Sequence, residues 1–327
     1  GSTAKMKRFE KVPDVFDLAL IEKIENSDIP YWFPNYPIMF KGSTWGDTWR
    51  AGVHAGITHV HHFYTKRNLW CIVTFAEKVR KLQVRALWVS TAITEGSSML
   101  NRERPFGLPS KLSGTLYVSS MIREINVLKF LYRKIEKYQS YGKCSCAFLA
   151  CQSSTKQIAK NNSIDYIFTD PPFGGNLMYS ELNFLWEAWL KVFTNNKPEA
   201  IENKVQGKGL LEYQALMTRC FEEYYRVLKP GRWMTVEFHN SKNSVWNAIQ
   251  EALQHAGFVI ADVRTLDKKQ GTFKQVTSSG AVKQDLIISA YKPNGGFEER
   301  FKLKAGTEEG VWDFLRTHLR QLPVFVQ

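Results

Sequence analysis

The chain has 327 residues, 44% of them hydrophobic and 13% aromatic, so it can bury a full core in one large domain or two small ones and is not a disordered protein. No apolar run is long enough to span a bilayer and the N-terminus lacks a signal-peptide layout, so no membrane partner is expected. The formal charge of +13 points to a polyanionic partner, nucleic acid being the usual one, although solubility alone also accounts for it.

The five cysteines, Cys71, Cys144, Cys146, Cys151 and Cys220, are odd in number and irregular in spacing, which fits a reducing, cytoplasmic compartment rather than a disulfide framework. Cys144 and Cys146 have no second pair at metal-ligand spacing and read as strand residues, so no metal is expected. The opening Gly1-Ser2 reads as a cloning remnant, and the chain as a piece of a longer protein.

In chain order, residues 31–49 are rich in aromatics, Pro and Gly and read as a structured loop. His54, His59, His61 and His62 cluster without a carboxylate or cysteine at ligand spacing, and read as surface or loop residues rather than a metal site. Residues 65–81 predict a helix with basic ends, and 95–113 a mobile basic loop carrying Arg102, Arg104 and Lys111. Residues 118–138 read as helical, and 144–151 as a short buried strand. Trp45, Trp49 and Trp70 read as core.

Residues 164–169 form a second buried strand, stopped by two prolines. From Tyr179 to Phe193, Leu182, Leu185, Trp186, Trp189, Leu190 and Phe193 recur at helical spacing. A second amphipathic helix spans 210–228 and stops at Lys229-Pro230-Gly231. A strand over 232–240 ends in Glu237, Phe238, His239 and Asn240, and His239 reads as a partner to the site or a strand cap. A helix from Asn243 ends at Gly257, and strands near 258–266 and 285–291 flank a polar loop. That loop, with Lys268, Lys269, Lys274 and Lys283, is either a solvated hairpin tip or a phosphate-contacting loop. The tail beyond Pro293 ends in one helix. Helices separating buried strands predict an α/β fold with a largely parallel sheet covered on both faces.

Ligands of such sheets sit beyond the carboxyl ends of the strands, where Asp170 stands. Pro171 and Pro172 remove backbone donors and fix φ, so the Asp170 carboxylate and the Pro171 carbonyl become a rigid row of acceptors. Beside them Phe173 offers a flat ring. Two acceptors and a ring suit a planar group bearing an exocyclic NH2. Asp-Pro and Pro-Pro are also common turn formers, so it is the context of strand, prolines and helix that gives the motif weight.

Asp170-Pro171-Pro172-Phe173 resembles the catalytic tetrapeptide of the amino-methyltransferases that act on adenine N6 or cytosine N4 in DNA. The stretch DPPFGGNLMYSELNFLWEAWLK is similar to a narrower group of bacterial DNA methylases, as are TWGDTW and FYTKRNLW before it. The resemblance covers roughly residues 30–293. It implies a Rossmann-like S-adenosyl-L-methionine-dependent methyltransferase fold with an irregular N-terminal region. It also implies double-stranded DNA as substrate, with the target base flipped out, adenine favoured, and a restriction-modification or phage-defence setting with restriction or defence subunits as candidate partners. Asp170 and the Pro171 carbonyl would each accept one hydrogen of the amino group, and Phe173 would stack on the base, with Pro172 holding the turn. Asn176, Tyr179 and Glu181 would stand at the mouth of the site, and Lys268, Lys269 and Lys274 would contact DNA. Cofactor contacts would fall on Asp170, Gln152 and Ser153.

The family's Gly-rich loop after its first strand has no counterpart here, so the fold is expected to be incomplete and the fragment to bind cofactor weakly. The expected division is 1–140 as a recognition region, 141–293 as the catalytic domain and 294–327 as a helical extension. The alternatives are a non-catalytic DNA-binding piece whose cofactor half lies elsewhere, and an enzyme acting on RNA or on glutamine, where related motifs occur.

Overall fold

The computed structural model describes residues 11–38, 56–81, 85–103, 111–112, 114–140, 152–240, 242–267, 284–294 and 307–321. They form two compact units. One draws on Gly1–Lys41, Asp47–Ser145 and Glu181–Thr194; the other lies within Cys146–Ser180 and Asn195–Gln327.

The described part of the first unit is helical. Helix α1 (Val15–Glu25) opens with a reciprocal cap that the sequence reading did not include. Asp14 accepts from the amides of Phe16 and Asp17 at 3.0 and 2.9 Å, and the Asp17 carboxylate accepts from Asp14 N at 3.1 Å. Helix α2 (Lys66–Arg80) is the helix predicted over 65–81, capped by Thr65 and burying Leu69, Ile72, Val73 and Val79. Helix α3 (Arg85–Gly96) runs into a turn rather than a mobile loop. There the buried Asn101 donates to the carbonyls of Gly96 (2.7 Å) and Ser98 (2.9 Å).

Helix α4 spans Val127–Ser140 and starts nine residues later than Val118. The residues before it lie extended, because Arg102 bridges to Ile122 and the amides of Glu103 and Arg123 donate to Met121 and Asn101. The segment of helix α5 (Tyr179–Leu190) from Glu181 onward packs in this unit. Its Trp189 donates to the hydroxyl of buried Tyr64 at 3.0 Å, edge-on to the Tyr64 ring. Trp70 is half-buried and donates to Ser27.

The second unit carries strand β1 (Ile164–Thr169), helix α6 (Leu210–Val227), strand β2 (Leu228–Phe238), helix α7 (Asn243–His255), strand β3 (Val259–Asp267), strand β4 (Gln284–Tyr291) and helix α8 (Glu308–Gln321). The sheet order is β1-β2-β4-β3. The α/β class holds, but the parallel character is confined among the described strands to β1 against β2. Both β4 pairings are antiparallel.

Alternation along β2 decides which face is core. Met234, Val236 and Phe238 are fully buried against α6 and α7, where Tyr213, Met217, Phe221, Val245, Ile249 and Leu253 complete the cluster. Their cross-strand partners Ile167, Ile288 and Ala290 point the same way. Pro230 and Gly231 do not stop the chain after α6 as expected. They sit in β2 as an irregularity, Gly231 at φ +74°, with its amide donating to Lys292 O at 2.8 Å.

The Lys292 side chain is buried and donates to Asn162 Oδ1, Tyr225 O and Leu228 O at 2.7, 2.7 and 2.9 Å. It ties the end of β4 to the start of β2. Gly257 ends α7 at φ +96°, in the left-handed conformation that its position predicts.

The predicted strand at 144–151 and the loop residues Lys268, Lys269, Lys274 and Lys283 lie outside the described residues. So do Trp45, Trp49, His54 and Arg104. No helix among the described residues is long and apolar enough to cross a membrane.

Candidate active site

Strands β1 and β2 run parallel, so their carboxyl ends lie on the same edge of the sheet, with Thr169 level with Val236. Asp170 leaves β1 there and is exposed, while Pro171 is buried. Phe173 is half-buried and packs edge-on to Phe238 at 5.4 Å and against His239 at 6.1 Å. His239 Nδ1 lies 2.8 Å from Asp285 Oδ1, and Asp285 is 2% exposed. His239 is thus linked both to Phe173 and to a buried carboxylate on β4.

Two further side chains hold the loop. The hydroxyl of Tyr213, on the first turn of α6, donates to Pro172 O at 2.7 Å. Burial pushes that hydroxyl's pKa up, and the nearby Glu202 adds to the shift, so it stays protonated and a donor. Asn240 Nδ2 donates to Phe173 O at 2.9 Å, while its Oδ1 accepts from Lys242 N at 2.8 Å at the start of α7. Neither role was legible in the sequence: Tyr213 reads as one more residue on an amphipathic face, and Asn240 as the end of a strand.

Gly174 closes the loop at φ +66°, where a Cβ would lie 3.3 Å from both Glu202 Oε2 and Val245 Cγ1. Next to it, a Cβ on Gly175 would lie 3.3 Å from Glu202 O. The Glu202 carboxylate is 3.5 Å from Lys242 Nζ.

Asn176 and Tyr179 are exposed beyond the loop. Partial burial raises the Tyr179 pKa, as do the charges of Asp170 and Glu199. Ser180 is buried and donates through its amide and hydroxyl to Glu199, at 2.9 and 2.6 Å. Glu181 is buried at 5% exposure and belongs to the first unit.

Gln152 and Ser153 are exposed and occupied in their own turn. Gln152 bonds Gln157 and Ile158 N, and Ser153 bonds Thr155 and Lys156 N. Arg102 and Lys111 are engaged locally as well, Lys111 with Glu95.

The Asp170 carboxylate and the Pro171 carbonyl are the two acceptors that the resemblance implies, the first on an exposed residue and the second on a buried one. Among the described residues, Gly174-Gly175 is the Gly pair at a strand end, and it belongs to the Asp170 loop. Asp170 and Pro171 stand where the resemblance places the base-holding part of the site, and the described residues carry no Gly-rich loop of the cofactor-holding kind.

Residues 164–309 match the family model described as DNA methylase, just under half of the chain. Over those residues the chain carries the pattern of N6/N4 DNA methylases, as the DPPF stretch implied. No curated protein matches. Among solved structures, a candidate DNA modification methylase from Thermus thermophilus is 15% identical, covering 44% of this chain and 53% of that one at a TM-score of 0.25. The same protein complexed with S-adenosyl-L-methionine aligns at 16% identity over 44% of this chain and 56% of that one, again at 0.25. A SAM-dependent methyltransferase from Methanosarcina mazei is 11% identical over 49% and 76%, at 0.26. The chain spans about half the length of the Thermus structures, and likenesses at these TM-scores carry no functional weight.

Proposed function

We propose that this chain is the base-holding part of an S-adenosyl-L-methionine-dependent DNA amino-methyltransferase, acting on adenine N6 in preference to cytosine N4. The observation that carries this reading is the DNA methylase match over 164–309, within which Asp170 ends β1 in a loop tied down by Tyr213 and Asn240. The +13 charge supports double-stranded DNA as the partner. The target base is flipped out, since its amino group is out of reach inside a duplex.

The cofactor supplies the methyl group. Asp170 and the Pro171 carbonyl each accept one hydrogen of the base's amino group, which draws its lone pair out of conjugation with the ring. No side chain of shifted pKa is required, because the nitrogen sheds its proton to solvent once it is alkylated. The rate rests on positioning and on acceptors fixed before the base arrives. A reducing cytoplasm and a restriction-modification or phage-defence setting fit this activity. The three-part division at 140 and 293 is retained as part of the proposal.

A second reading is favoured by the lack of a Gly-rich cofactor loop in the sequence: the chain binds DNA, and a separate polypeptide or segment provides the cofactor cradle. Transfer of radiolabelled methyl from S-adenosyl-L-methionine to genomic DNA and to total RNA, with Asp170→Ala as control, tests both readings. Label in DNA that needs Asp170 supports the first. Label in RNA alone replaces the substrate. DNA binding without label supports the second.

A further inference from the structure

The loop's three consecutive carbonyls have unequal surroundings. Pro172 O accepts from Tyr213 and Phe173 O from Asn240, so the two peptide planes after Pro171 are pinned by side chains from α6 and from the end of β2. The ring of Pro172 fixes its own φ, the torsion that links its carbonyl to that of Pro171. With the following planes held and this torsion locked, ψ of Pro172 is the one torsion left through which the Pro171 carbonyl turns relative to them, and the two bonds narrow its range. Gly174 supports the arrangement: its φ of +66° brings the chain back under Asn240, at a spot lined by Glu202 and Val245.

We infer that Tyr213 and Asn240 are positioning residues that set the direction of the Pro171 carbonyl, and through it the second acceptor for the substrate's amino group. The geometric part rests on the two hydrogen bonds alone, while the catalytic consequence rests on the methyltransferase reading above. Neither side chain touches the base. Each acts one peptide away from the acceptor it aims.

Tyr213→Phe and Asn240→Ala test this in two arms. Tyr213→Phe removes one hydroxyl from a fully buried ring and keeps its shape, so the fold is retained. In the kinetic arm, each variant loses about tenfold or more in kcat, while KM for DNA and the melting temperature stay near the wild-type values, as expected when a reacting group is misplaced and not lost. A role limited to stability would lower the melting temperature and leave kcat of the folded fraction unchanged, and that result overturns the inference, as does wild-type kcat in both variants.

In the structural arm, crystal structures of the two variants show the Pro171 carbonyl rotated. An unmoved carbonyl in both overturns the inference whether or not the protein transfers methyl groups. If the wild type transfers none, the functional reading fails and the structural arm alone decides this one. If Tyr213→Phe does not fold, Asn240→Ala, at a partly exposed site, carries both arms.

Discussion

His239 Nδ1 and Asp285 Oδ1 lie 2.8 Å apart, joining the end of β2 to the start of β4 directly behind Phe173. The pair accounts for an acidic residue at a strand position that is 2% exposed, where an ionisable group otherwise carries a desolvation cost. Replacing His239 by Ala takes this partner from a buried carboxylate. The expected loss is about 1–3 kcal/mol in unfolding free energy, read from urea denaturation. The loop is expected to loosen as well, because the His239 ring also packs on Phe173.

Gly174→Ala places a side chain where φ is +66° and where Glu202 and Val245 leave 3.3 Å. A left-handed non-Gly residue costs about 1–2 kcal/mol before any contact is counted. The variant is expected to melt lower than wild type and to lose activity beyond what melting explains. Gly207→Ala is the control: it has the same sign of φ and nothing within 4 Å, so it isolates the backbone cost.

Lys292 is the strap between β2 and β4, and its three acceptors are all neutral. Lys292→Met keeps the stem and removes the three donors, leaving two buried carbonyls and one side-chain amide short of a partner. A loss of about 2–4 kcal/mol is expected in the same denaturation experiment. Thermal unfolding unchanged from wild type would show that water replaces the ammonium there.

The pH dependence of the first unit is set in part by His61. Burial holds its imidazole down to about 4, helped by the neighbouring charges of His62 and His59. The unfolded imidazole takes up its proton near the ordinary value of 6.5, before the folded one does. The stabilisation is therefore full above pH 6.5, declines as pH falls towards 4, and changes no further below that. Denaturation midpoints measured between pH 7 and 4 are expected to fall more steeply for the wild type than for His61→Gln. Equal slopes would remove His61 as a cause.

Much of this architecture is legible in the residues. The helices over 66–80, 210–227 and 243–255 follow from their period, because each places an apolar face against the core of its own unit. The strand at 164–169 forms where expected but leaves Tyr166 and Phe168 exposed, so it is not the buried strand that its apolar run predicts. Where the pattern misleads, a tertiary contact is the reason. Residues 118–126 carry helix-compatible side chains, yet the Arg102–Ile122 bridge takes their backbone groups. Pro230 and Gly231 look like a stop, yet Lys292 supplies the hydrogen bonds that carry the chain through.

At the site, Asp170, Pro171, Pro172 and Phe173 stand out because the tetrapeptide directly follows an apolar strand and precedes a helix. Tyr213 does not stand out. Its role depends on a hydroxyl meeting a carbonyl 41 residues away, which no local spacing encodes.

The most direct test of the central claim is nucleoside mass spectrometry on DNA from a methylase-deficient host expressing either the wild-type chain or Asp170→Ala. The account predicts N6-methyldeoxyadenosine with the wild type and none with the variant, at equal levels of folded protein. Equal methylation in the two would contradict it, because the chemistry would then not run through the Asp170 loop.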